Sequence, residues 1–236
     1  MTKKNVAKVM LVTGTSSGIG KLLVQNYAKK NYQIIGCSRN DLNLKLKNYK
    51  HYSLNVNDER KVKELFTEIR KKHGRLDCLI NNAGIASMNH SLLTSMETAR
   101  KILNTNIGAT FMFSREAAKL MSKNKCGRIV NFSTIAVPLE LEGEAIYAAS
   151  KAAVNTLTKV LAKEFSSFGI TVNALGPTPV KTNLIKSISK DKIDNLIDKQ
   201  AVKRYGQIGD IINVVDFFLK PKSDFITGQI IYLGGI

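Results

Sequence analysis

Seven short apolar runs, separated by longer stretches whose apolar residues recur every three or four positions, leave this chain few ways to fold. The runs Val6–Val12, Gln33–Cys37, His51–Leu54, Cys78–Ile80, Arg128–Phe132, Thr171–Ala174 and Gln229–Leu233 are brief and bounded by Gly, Asn, Asp or Ser. Strands buried on both faces of a parallel sheet read this way. The stretches Lys21–Lys30, Glu59–Lys72, Ala99–Lys123, Ala145–Phe168 and Asp210–Leu219 are long enough to be crossover helices. The alternation predicts a three-layer, doubly wound α/β fold, with a seven-stranded parallel sheet between two layers of helices. No repeat, low-complexity tract or Pro/Gly/Ser linker interrupts it, so residues 1–236 read as a single domain. The polar, lysine-rich segment 181–204, between the sixth strand and the last helix, reads as a mobile excursion beside a site.

Composition excludes several functions. The apolar run Val9–Val12 is too short for a signal-peptide core or a membrane span, which points to a cytoplasmic protein without membrane contact. Cys37, Cys78 and Cys126 are odd in number and widely spaced, and His51, His73 and His90 share no ligand spacing. Neither a disulfide framework nor a metal site is expected. The 36 basic against 18 acidic residues give a net charge of +18. The cations occur singly or in pairs, such as Lys29-Lys30 and Lys71-Lys72, without the dense basic, aromatic-laced block of a nucleic-acid binder. Solvated helix faces account for them.

The first strand runs into Thr13-Gly14-Thr15-Ser16-Ser17-Gly18-Ile19-Gly20, and a helical pattern follows at once. Glycines there let the backbone turn tightly and approach a pyrophosphate. The helix start offers free N–H groups and a positive dipole end. This is the dinucleotide signature of a Rossmann fold in its required context. Nucleotide choice is read at the end of the second strand, where a carboxylate would bond a ribose 2′-hydroxyl and repel a 2′-phosphate. Ser38 stands at that position and Arg39 follows with a guanidinium fork, which favours NADP(H) over NAD(H).

The spacing Gly-x-x-x-Gly-x-Gly, Asn81-Asn82-Ala83-Gly84, Asn106, Ser133, Tyr147-Ala148-Ala149-Ser150-Lys151 and Gly176-Pro177-Thr178-Pro179-Val180-Lys181-Thr182 follow one another in the order and spacing of the short-chain dehydrogenase/reductase family, which the chain resembles over nearly its whole length. The resemblance implies an oxidoreductase moving a hydride between a nicotinamide and a carbonyl or alcohol. Tyr147 would be its acid/base, Ser133 would hold the substrate oxygen, and Lys151 would grip the nicotinamide ribose. Asn106 would hold a water relaying protons to Lys151, with Asn104 as the rival assignment. It also implies that Asn55-Val56 after the third strand meets the adenine, that Asn82, Ala83 and Gly84 after the fourth pass close to the adenosine ribose, and that Pro177, Val180 and Thr182 border the cofactor.

Tyr147 and Lys151 are four apart on one helix, so they share a face. An ammonium about 4–5 Å from the phenol, at an effective dielectric near 20, would stabilise the phenolate by roughly 3–4 kcal/mol. That would lower a pKa near 10 into a useful range.

Within the family the chain looks most like bacterial 3-oxoacyl-acyl-carrier-protein reductases, which implies an acyl-thioester substrate and an acidic carrier protein as partner. Arg128 matches one of two carrier-binding arginines; the second falls near Phe168, and Ile85-Ala86-Ser87-Met88 replaces the usual Thr-Arg-Asp. A sugar, polyol or small ketone is the alternative substrate, and a catalytically silent dinucleotide sensor the alternative function. Glu140, Glu142 and Glu144, between Ser133 and Tyr147, should line the pocket or face water, the commoner fate of glutamate. The resemblance further implies a homodimer or homotetramer.

Overall fold

A computed structural model describes residues 7–42, 44–182 and 190–236. Val6, expected in the first strand, and residues 183–189 of the expected excursion lie outside the described residues.

The seven strands are β1 (Lys8–Thr13), β2 (Tyr32–Ser38), β3 (Tyr49–Ser53), β4 (Cys78–Asn81), β5 (Gly127–Phe132), β6 (Ile170–Gly176) and β7 (Ile230–Tyr232). They form one sheet in the order β3-β2-β1-β4-β5-β6-β7, parallel throughout. Strand order reverses between β1 and β4. Loops leaving the carboxyl ends of those two strands turn opposite ways there and open a crevice.

Side chains alternate across each strand, so β1 feeds two cores. Leu11 packs with Phe66, Phe113 and Leu161 on one face, and Met10 and Val12 pack with Tyr27, Val215 and Phe218 on the other. The first face is covered by α2 (Glu59–His73), α4 (Ala109–Met121) and α6 (Ala145–Phe165), the second by α1 (Gly18–Tyr27) and α8 (Ile208–Leu219). Helix α2 shows why such segments are helical. Val62, Leu65, Phe66 and Ile69 form its buried stripe, the Asp58 side chain accepts the Lys61 N–H at 3.1 Å, and Gly74 ends it in the left-handed region.

The expected helix over Ala99–Lys123 is two helices, α3 (Met96–Leu103) and α4, joined by a π-helical turn at Asn104–Gly108 in which the Ala109 N–H reaches back to the Asn104 carbonyl. Its apolar spacing averages over the break and conceals it. A four-residue helix, α5 (Ala136–Leu139), also went unforeseen. In the segment 181–204, the described part contains α7 (Lys190–Asp198) with Ile193 buried, and the Ala201 and Val202 N–H groups donate to the Gly235 and Gly234 carbonyls at 3.0 Å.

Candidate active site

A cavity of about 580 Å³ occupies the crevice at the switch point. Its floor is the loop from β1 to α1. Gly14 and Gly18 have φ of 72° and 55°, a region costly for side-chain-bearing residues, and a Cβ on Gly14 would lie 2.9 Å from the Ala83 Cα. Thr13 staples the loop to its neighbour: its Oγ1 accepts the Asn82 and Ala83 N–H groups at 3.0 and 2.9 Å, while the Asn82 amide donates to the Thr13 and Gly14 carbonyls. The first-turn N–H groups of α1 have no intrahelical partner. The Ser17 side chain caps none of them, so they remain available to an anion.

Gly14, Ser16, Ser17, Gly18 and Ile19 line the cavity, and Gly20 lies buried beneath, packed against the Gly14 carbonyl and Asn82. At one end Ser38 and Arg39 line it beside Asn40, whose contribution the sequence reading missed. Ser38 is buried and donates its hydroxyl to the Asn40 carbonyl at 2.8 Å, whereas Arg39 is exposed and has no ion pair among the described residues. Asn55 and Val56 line an adjoining notch completed by Lys101 and Thr105. The Asn55 side-chain oxygen already accepts the Asn57 N–H at 3.1 Å, so only its second lone pair is open to a ligand. These donors and the glycine floor suit an extended, phosphate-bearing molecule.

At the other end Ser133, Tyr147, Lys151, Pro177 and Thr182 meet around the same space as Asn82, Ala83 and Gly84. Val180 does not reach it: it is buried in the core and bridges to Gly206. Ser133 is buried, and its Oγ has no hydrogen-bond partner among the described residues. Native interiors rarely leave such a hydroxyl unpaired, and Ser133 is one of the residues that line the cavity. Gly84 makes room for the lysine: a Cβ there would stand 3.3 Å from both the Lys151 Nζ and the Asn106 Oδ1.

Helix α6 is set on the sheet by a buried polar chain that the sequence reading missed. Asn81 Nδ2 donates to the Asn131 Oδ1 at 2.8 Å and to Ser114 Oγ at 3.0 Å, and Asn131 Nδ2 donates to Thr158 Oγ1 at 2.9 Å. Thr158 lies two turns along α6 from Lys151, on the same face, so the chain fixes the rotation of the helix that carries Lys151.

Two expectations are corrected by the electrostatics. Lys151 does not depress the Tyr147 phenol. Its Nζ donates to the Phe132 carbonyl at 2.7 Å, and burial pushes the ammonium down to about 8. The phenol is instead pushed up to about 12 by burial, against a downward pull from the Thr134 hydroxyl and with a smaller upward push from Glu144. The four-residue spacing fixes the shared face but not where a flexible ammonium points. Glu144 is the second correction. Glu140 and Glu142 are exposed, but Glu144 is 5 % exposed, has no side-chain hydrogen bond or ion pair among the described residues, and is pushed up to about 7 by burial.

Asn106 is fully buried beneath Gly84, outside the cavity wall. Its Oδ1 accepts the Ile85 N–H, its Nδ2 donates to the Ile85 carbonyl and to Ser150 Oγ, all at 2.9 Å, and its own carbonyl accepts the Thr110 hydroxyl at 2.7 Å. The residue clamps the segment after β4 to α6. Asn104, the rival, sits in the same π turn and is exposed. Arg128 is also not as expected. It is 8 % exposed and donates to the Gly127 and Pro221 carbonyls, so it is no surface cation for an acidic carrier.

Residues 8–193 match the short chain dehydrogenase family. The chain belongs to that family. Over 234 residues this short-chain dehydrogenase is 30% identical to the 3-oxoacyl-[acyl-carrier-protein] reductase FabG of Salmonella typhimurium, with 97% of the chain and 96% of the relative covered. Among solved structures it is similar to ElxO with NADP bound, at 33% identity and a TM-score of 0.88 over 96% of this chain and 97% of that one. It is also similar to 4-hydroxyisoleucine dehydrogenase complexed with NADH, at 28% identity and a TM-score of 0.87 over 97% of both chains. The short-chain dehydrogenase thus carries the fold and the oxidoreductase class of these relatives. No helix among the described residues is long and apolar enough to cross a membrane.

Proposed function

We propose that the chain is an NADP(H)-dependent reductase of a carbonyl substrate, with Tyr147 as proton donor. The observation that carries this reading is Ser133, whose buried Oγ has no hydrogen-bond partner among the described residues and which lines one cavity with Tyr147 and Lys151. When bound, the nicotinamide supplies the hydride. The glycine loop and the first turn of α1 would hold the pyrophosphate, Ser38 and Arg39 the 2′-phosphate, Asn55 and Val56 the adenine, and Lys151 with Thr182 the nicotinamide end. Ser133 donates to the substrate carbonyl oxygen and keeps donating as that oxygen gains charge. Tyr147 then delivers its proton to the same oxygen. Burial keeps the phenol protonated throughout the neutral range, so it is ready to donate. Asn106 holds the Gly84–Ile85 backbone in place beside Lys151.

A 3-oxoacyl thioester is the first substrate to test, in view of the FabG relatives. The burial of Arg128 favours a second reading, a polar ketone such as a keto-sugar taken without a carrier protein. Assembly into two or four copies belongs to the same proposal; Phe111 on α4 and Val160 on α6 stand exposed on the outer surface.

The test is NADPH consumption across 3-oxoacyl thioesters, keto-sugars and simple ketones, together with Ser133→Ala. The variant is expected to lose about 10²- to 10³-fold in kcat/KM, the scale of removing one donor from a developing oxyanion. NADPH bound by the protein but oxidised with none of the panel would point to the silent sensor instead.

A further inference from the structure

His51 lies on the edge strand β3 directly opposite Gly36 of β2, and it is the centre of a hydrogen-bonded cluster behind the Ser38–Asn40 turn. Its Nε2 lies 3.1 Å from the Asn40 carbonyl and 3.2 Å from Ser38 Oγ. Its Nδ1 lies 2.7 Å from the Tyr49 hydroxyl and 3.4 Å from Thr15 Oγ1, and the Tyr49 and Thr15 oxygens are 3.1 Å apart. Gly36 leaves the space for this: a Cβ there would run into the Tyr49 hydroxyl and stand 2.7 Å from Thr15 Oγ1.

We propose that His51 is a proton-dependent positioning residue for nucleotide choice, which strengthens NADP(H) binding over NAD(H) when its ring is charged. The proposal rests on the reading that Ser38 and Arg39 seat a 2′-phosphate.

The geometry accommodates both states of the ring. The Asn40 carbonyl can only accept, so a neutral ring carries its proton on Nε2 and takes the Tyr49 hydroxyl proton at Nδ1. A second proton on Nδ1 reverses that bond. Nδ1 then donates to the Tyr49 oxygen, and the Tyr49 hydroxyl turns its proton to Thr15 Oγ1. No polar group is orphaned by the change, so the cost of charging the ring is burial alone. Burial accordingly lowers its pKa below the ordinary 6.5, against weaker upward pulls from the Asn40 carbonyl and Asp41.

The titratable or charged groups around the ring are Tyr49 on its own strand and Asp41 after β2. Cys37, Lys50 and Tyr52 occupy the opposite face of the sheet, with Glu68 of α2. A charged His51 therefore adds a cation behind Ser38, the residue that precedes Arg39. The same hydrogen-bond change reaches Thr15 in the phosphate loop.

The test is calorimetric titration of NADPH and of NADH from pH 5.5 to 7.5, for the parent and His51→Gln. Glutamine keeps a donor toward Asn40 but cannot take up a proton. The ratio of variant to parent dissociation constant for NADPH should rise about fivefold as pH falls over that range, the scale of one added charge at a partly screened distance. For NADH that ratio should stay flat. Comparing the two proteins at each pH cancels the phosphate's own ionisation, whose pKa lies near 6.

A flat NADPH ratio, or an equal rise for NADH, overturns the role of His51. A parent that binds NADH as tightly as NADPH at every pH overturns the underlying reading of Ser38 and Arg39. If His51→Gln does not fold, Tyr49→Phe serves. It removes the acceptor for the second proton and should move the parent's NADPH transition to lower pH, and an unmoved transition counts against the proposal.

Discussion

Tyr147→Phe is expected to lower kcat for carbonyl reduction by about two to four orders of magnitude, the range spanned by a lost general acid, while NADPH still binds within about twofold of the parent. The ring is retained, so packing at the start of α6 is unchanged and only the hydroxyl is lost. On the proposed reading that hydroxyl is the proton source beside Ser133: the Lys151 ammonium is directed to the Phe132 carbonyl, and Glu144 sits a helical turn before the phenol. Steady-state rates on whichever carbonyl the panel identifies, with binding followed separately by calorimetry, check the split. An unchanged kcat would remove Tyr147 from the chemistry, and a lost affinity with kcat intact would make it a binding residue.

Glu144→Gln is expected to stabilise the protein at pH 8 and to do little at pH 4. A carboxyl at about 7 in the folded chain and 4.5 when free holds a proton in the native state that the unfolded chain has already released. Between those values the folded state binds more protons, so its stability falls as pH rises, and above about 7 the whole cost is present. The gap corresponds to roughly 3 kcal/mol. An amide of the same shape carries none of it, which for a chain of this size translates into a melting temperature higher by several degrees. Thermal melts of both proteins at pH 4, 6 and 8 measure this. Parallel curves with a constant offset would show that Glu144 does not titrate in this range. The variant should also lower the phenol of Tyr147 somewhat, because Glu144 is one of the groups holding it up.

The fold was legible because buried parallel strands are nearly continuous apolar runs. β1, β4 and β5 stand out against any helical period, and the glycine loop has a use only between a strand and a helix start. The lining of the cavity followed from the same logic, since Ser38 ends β2 and Asn55 and Asn82 lie just past the carboxyl ends of β3 and β4. What escaped were features set by direction rather than by order. Asn81 looks like a turn residue in a one-dimensional reading, and Asn131 like an ordinary member of its strand. They form a buried bridge because their strands are adjacent in register, which only the assembled sheet shows. Arg128 and Glu144 belong to residue types normally found in water, and nothing local marks them as enclosed. The Tyr147–Lys151 spacing told which face both occupy, but the last four bonds of a lysine can carry its charge elsewhere. The Lys151 Nζ ends against the backbone of β5.

The wider winding at Asn104–Gly108 amounts to one extra residue lodged in an otherwise regular rod. Excising a neighbour of Asn106 there would restore ordinary pitch with α4 still facing the core, because the wide turn already absorbs the added residue. Phe113 and Met121 would keep their places in the interior, but the Asn106 amide would be shifted off the Ile85 backbone that it clasps. The irregularity is thus an index mark, tying how α4 is seated in the core to where the backbone beneath the reacting groups lies.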